Sequence, residues 1–277
     1  MYTMPTMPLY ERTSILVSLT LLGLAAYFLI ELPSRAIELT LFGSPLTLLV
    51  SQRWLMALLL GGLAATGTSA IVHAHPALPG RASGYYALTF WVLPGLLVIL
   101  ATLWLPWLAS DPVWWAGGLV ITGLLLWFVV LGEYHTIDPR DPHYELAHLW
   151  LNLVAYGVAF GFFVVIYQTR DRSAISATEV LLVSGLLAAS LLRAGPAQAG
   201  RTWLFAGMVA LALSQSTWAL NFRRMLPPTA GLWLLLVFYL STGLAQQQLL
   251  GRLTRRALAE FAAIAAVGLL VILRYAP

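Results

Sequence analysis

Nine stretches of this chain are apolar for long enough to cross a lipid bilayer, and together they use up most of its 277 residues. A hydrocarbon core of roughly 30 Å takes about 20 residues of helix. On that ruler the spans fall at 13–31, 53–73, 84–106, 113–132, 145–168, 177–193, 202–221, 230–249 and 256–274. Lipid offers backbone N–H and C=O groups no partner, so each crossing must satisfy its own backbone as a helix. The sequence therefore predicts an all-α, polytopic transmembrane bundle of about nine spans, forming one integral membrane domain over 1–277.

Composition agrees. Only 9% of the residues are charged and 60% are hydrophobic, against roughly 25% charged in soluble domains. The formal net charge is +4, and every basic residue is Arg. These Arg residues are scattered near span ends, where the side chain snorkels to headgroups, rather than clustered as a nucleic-acid footprint. The expected partners are membrane lipids and other membrane proteins, with no nucleic acid. Cys is absent, which excludes disulfides, thiolate metal sites and a cysteine nucleophile. The apolar run from Ser14 to Ile30 is too long for a typical signal-peptide core, and Glu31 to Arg35 offers no small-x-small cleavage site, so the first span is expected to stay as an anchor.

The segment from Ile37 to Val50 is apolar but too short to span. It is rich in strand formers and is split by Gly43-Ser44, a two-residue turn signal. The sequence predicts a short β-hairpin or a re-entrant segment at about 37–50, lying on the bundle mouth. Thr40 and Thr47 are symmetric about that turn, and Pro45 restricts pairing beside it. Orientation is nearly balanced by Arg count. The third connection has Asp111 and no Arg, while the eighth has Arg252, Arg255 and Arg256. The positive-inside rule then places the N-terminus in the cytoplasm.

Polar chemistry concentrates between the fourth and fifth spans. Residues 133–148 hold His135, His143 and His148 together with Glu133, Asp138, Asp141 and Glu145. His73 and His75 end the second span. The second and fourth helices finish on the same face, so all five histidines share one side of the membrane. Glu145 and His148 have the Glu-x-x-His spacing that puts both on one helix face. The candidate metal ligands are His135, His143, Glu145, His148 and His73, with zinc or iron as the cofactor they would suit. The alternative is an interfacial loop in which Asp138 and Asp141 form turns before their prolines, Asp141 or His143 caps the fifth helix, and Glu145 favours the helix dipole. There is one Glu-x-x-His where di-iron bundles use two, and no His-Glu-x-x-His.

Ionisable groups inside the spans are scarce; Glu260, four residues after Arg256, is the clearest. That scarcity argues against an ion-coupled transporter. Uncharged polar groups at Thr66, Thr68, Ser69, Asn152, Ser216 and Thr217 are expected to bond between helices. Gly157 and Gly161, and Gly117, Gly118 and Gly123, permit close helix contact. Tyr85, Tyr86, Trp104, Trp107, Trp114 and Trp115 read as interfacial anchors. His148-x-x-x-Asn152 is shared with intramembrane CAAX-type proteases, but their paired-glutamate motif is missing. Gly-x-Ser-Gly and Asp-rich magnesium motifs are missing too.

Taken together, Gly43-Ser44-Pro45-Leu46-Thr47, Glu133-Tyr134-His135-Thr136 and Trp218-Ala219-Leu220-Asn221 resemble an uncharacterised family of bacterial polytopic membrane proteins. The resemblance covers most of the chain. It implies fold and localisation in the bacterial inner membrane, and no catalytic residue. The sequence-based reading is a non-enzymatic structural, accessory or lipid-binding subunit of a membrane assembly. A metal-dependent enzyme using the loop 133–148 and a lipid or small-molecule transporter are the alternatives.

Overall fold

The computed structural model describes residues 8–29, 35–41, 44–50, 52–77, 88–169, 173–193, 199–222 and 225–275. Its helices are α1 (Leu9–Leu29), α2 (Gln52–His73), α3 (Thr89–Leu108), α4 (Pro112–His135), α5 (Tyr144–Thr169), α6 (Ser173–Leu191), α7 (Ala199–Asn221), α8 (Pro227–Leu249) and α9 (Arg255–Tyr275). Their ends follow local chemistry. Asp111 caps α4 by accepting from Val113 N at 2.8 Å, with Pro112 just inside the helix, where its missing N–H is no loss. Past the end of α8, Gly251 takes φ +65°. Arg252 N donates to Gln247 O at 2.9 Å and Gly251 N to Gln248 O at 3.1 Å, satisfying carbonyls the helix leaves open.

Eight of the described helices, α1 to α8, are long and apolar enough to cross a membrane. The ninth predicted span corresponds to α9, which opens with Arg255 and Arg256, carries Glu260 and is not among those eight. It nonetheless lies antiparallel along α8: a Cβ on Gly243 would meet Phe261, and one on Gly268 would meet Leu236. At the centre, α3 and α5 are the most enclosed helices. α1, α2 and α4 pack to one side of them, α6, α7 and α8 to the other, and α9 meets the bundle chiefly through α8. The outer surface carries bare apolar side chains such as Leu22, Leu58, Val120, Leu149, Leu204 and Leu270. A surface so rich in exposed large apolar side chains would drive association in water but matches lipid.

Close helix contact is found at the expected Gly161, Gly118 and Gly123, and at other glycines as well. A Cβ on Gly95 would lie 3.2 Å from both Gly61 O and Ala65 Cβ, so the backbones of α2 and α3 touch there. Gly161 does meet Leu100, but nothing lies within 4 Å of a Cβ on Gly157. The expected interhelical polar bonds are likewise redistributed. Thr66, Thr68, Ser216 and Thr217 donate to carbonyls of their own helices. Bonds between helices among the described residues include Tyr156 to Thr242 at 3.1 Å and Asn221 Nδ2 to Ser176 Oγ at 3.0 Å. A hydroxyl four residues after a free-facing carbonyl finds it without leaving its own helix, a solution that a list of polar residues does not reveal.

Between α1 and α2, β1 (Arg35–Leu41) and β2 (Ser44–Val50) run antiparallel, with Thr40 opposite Pro45 and Glu38 opposite Thr47. Thr40 and Thr47 are therefore not partners, as a turn at Gly43-Ser44 would have made them. Among the described residues the pair acquires no third strand and has no more than marginal contact with any helix. Apart from this pair, the described elements are all α-helices. Gly43, the Tyr85-Tyr86 anchor and five of the Arg residues counted for orientation (Arg81, Arg170, Arg172, Arg223 and Arg224) lie outside the described residues.

Candidate functional site

The last turn of α4 extends beyond the predicted span and takes Glu133 with it into the bundle. Glu133 is 0% exposed. Its partner is Arg193, just after α6, whose Nη1 donates to Glu133 Oε2 at 2.8 Å. Arg193 Nη2 donates to Thr89 O at 3.0 Å, and the guanidinium carbon sits 3.8 Å from the centroid of the Phe90 ring. One planar cation thus ties together the start of α3 and the ends of α4 and α6, a task suited to the rigid fork of Arg. Sequence reading found neither the burial of Glu133 nor its partner, which stands 60 residues away.

The pair is not fully spent. Glu133 Oε1 and Arg193 Nε have no hydrogen-bond partner among the described residues. Both residues line a small polar cavity of about 40 Å³, together with Tyr144, His148, Asn152 and Ser190. That is room for one or a few waters and too little for an organic substrate. His148 stacks flat on Tyr144 at 6.0 Å, one turn earlier on the same helix.

A second group lies at the mouth, where α4 ends. His135 Nδ1 is 2.7 Å from Asp141 Oδ2, and His143 Nδ1 is 3.4 Å from Asp141 Oδ1. The connection is stiffened by its own turns: Asp138 Oδ1 accepts from Arg140 N at 3.0 Å, and Asp141 Oδ1 accepts from His143 N at 2.8 Å. The His135 hydrogen bond, helped by the His143 N–H, holds the Asp141 carboxyl down at about 2. His75 packs edge-on to Tyr134 with ring centroids 4.4 Å apart, which bears out the expected convergence of the α2 and α4 ends. Desolvation lowers the His75 pKa, against the opposing pull of Asp138 and Asp141.

Among the described residues, His135, Asp141 and His143 are the only trio of His, Cys, Asp or Glu whose donor atoms converge, all within 4.8 Å. The other predicted ligands lie elsewhere. His73 is exposed and within hydrogen-bond distance of Ser69 of its own helix, 2.7 Å from its carbonyl oxygen. Glu145 is exposed, and His148 faces the inner cavity. Asp141, read from sequence as a turn former or cap, supplies the third donor as well.

A family model described as a protein of unknown function, DUF5656, matches residues 32–275. The chain belongs to that family. The DUF5656 match runs from the connection before α2 through α9, so it contains both the Glu133–Arg193 cavity and the histidine trio, and leaves α1 outside. No curated protein and no solved structure matches the chain. Within DUF5656 the chain is a helical protein with eight described helices long and apolar enough to cross a membrane, and both polar groups sit at the end of α4.

Proposed function

We propose that this chain is a non-enzymatic subunit of a bacterial inner-membrane assembly that binds lipid along its helical surface. Its N-terminus lies in the cytoplasm and α9 makes a ninth crossing beside α8. The observation that carries this reading is a contrast between cavities. The polar one inside is water-sized. The larger ones are apolar and open sideways toward lipid. One, of about 450 Å³, is lined by Tyr156, Leu232, Leu236, Tyr239, Gly268 and Ile272. Another, of about 420 Å³, lies between α7 and α8 against Phe205, Met208 and Leu244. Clefts of this kind accept acyl chains. Transport is disfavoured because the hydroxyls of α2 and α7 that would line a polar path are turned onto their own backbones.

Purification of the full chain in a mild detergent, followed by native mass spectrometry, tests the reading. Co-eluting phospholipid and a reproducible protein partner are expected, and Gly268→Phe should displace the lipid. A clean lipid-free monomer overturns it. The absence of Cys makes topology directly measurable: Leu253→Cys and Arg274→Cys should label from opposite faces of the membrane.

A further inference from the structure

We propose that His135, Asp141 and His143 form a three-ligand site for a late first-row divalent cation, zinc foremost, at the membrane–water boundary. The donor set selects the metal. Two imidazoles and a single carboxylate suit zinc and its neighbours, whereas calcium and magnesium demand more oxygen ligands than this group offers. Tetrahedral zinc with bonds of about 2.0–2.2 Å separates its ligand atoms by roughly 3.4 Å. The His143 Nδ1 to Asp141 Oδ1 separation is already 3.4 Å. The His135 contact, at 2.7 Å, is made to the other carboxylate oxygen, Oδ2; with one donor atom from each residue the trio lies within 4.8 Å, so the side chains readjust by about 1–1.5 Å for both imidazoles and one carboxylate oxygen to share an ion.

The site is also held in advance. His135 ends α4, two residues beyond the Glu133 anchored by Arg193. Asp141 and His143 are fixed to each other by the His143 N–H bond to the carboxylate. His75 lies beside the group, edge-on to Tyr134, but outside the converging donor atoms. Three protein ligands leave the fourth position to water or an anionic group, the arrangement of open rather than closed zinc sites.

The test uses the full chain in detergent, stripped with chelator and then titrated with cobalt(II) as a spectroscopic probe and with zinc by equilibrium dialysis. One equivalent should bind, with the visible absorption of a four-coordinate cobalt site. His143 is 66% exposed, so its removal leaves the packing intact, and His143→Ala is the deciding variant. It should weaken binding at least about 100-fold, beyond the loss typical of an outer-shell partner, with Asp141→Asn behaving alike, while His73→Ala and His148→Ala stay within about two-fold. No uptake by the native chain, equal affinity in His143→Ala, or loss that follows His73 or His148 instead would each overturn the site.

Discussion

Two Arg–Glu contacts of nearly equal length occupy opposite extremes of this molecule. Arg193 meets Glu133 at 2.8 Å with the side chains 10% and 0% exposed. Arg256 meets Glu260 at 3.1 Å with 90% and 63% exposed. The second joins neighbours on one helix; the first joins α4 to the end of α6 and, through Thr89, to α3. Contact distance therefore says little about what an ion pair does. Burial and the number of elements joined decide it, because a buried charge that loses its partner keeps its full desolvation penalty.

The contrast can be broken by substitution. Arg193→Ala strands Glu133 and should cost about 3–5 kcal/mol, read as unfolding in mixed detergent micelles, with the double variant Glu133→Leu/Arg193→Met recovering most of it. A cost confined to the first turn of α3 would show that the tie is local. Gly61→Leu should come next, at about 1–3 kcal/mol of overpacking where α2 and α3 touch, whereas Gly157→Leu, facing open space, should be silent in the same assay. Phe90→Leu keeps an apolar side chain but removes the ring beneath Arg193, for about 0.5–2 kcal/mol. Glu260→Gln should leave the unfolding midpoint unchanged, since exposed pairs on one helix contribute little; a clear drop there would mean that α9 is held by charge rather than by packing on α8.

The positions of the helices were readable because lipid compatibility is a property of continuous composition. Eight described helices coincide with predicted spans to within a few residues at most ends, and α9 does so with its charged first turns included. The site was readable only in part. His135 and His143 stood out as histidines beside carboxylates, and parity placed them near His75. Glu133 looked like loop because it adjoins a polar stretch, and nothing local announces a partner at Arg193. Asp141 was masked by its own prolines: an Asp before Pro reads first as a turn, and here it both turns the chain and faces two imidazoles. Glycine spacing was informative only in part, holding at Gly161, Gly118 and Gly123 and not at Gly157 or Gly117. Gly157 and Gly161 satisfy a pattern, but which helix face meets a neighbour is settled by the whole bundle.

The distance along the chain between Glu133 and Arg193 also sets a schedule for biogenesis. The carboxylate leaves the ribosome 60 residues before its counter-ion, a lag of about 3–12 s at ordinary elongation rates. Throughout that interval the fourth helix carries an unescorted acid near its end, where headgroups and water can still shelter it. The pair cannot form until Arg193, just after α6, has been made, so this end of the bundle cannot close before the first six helices are present.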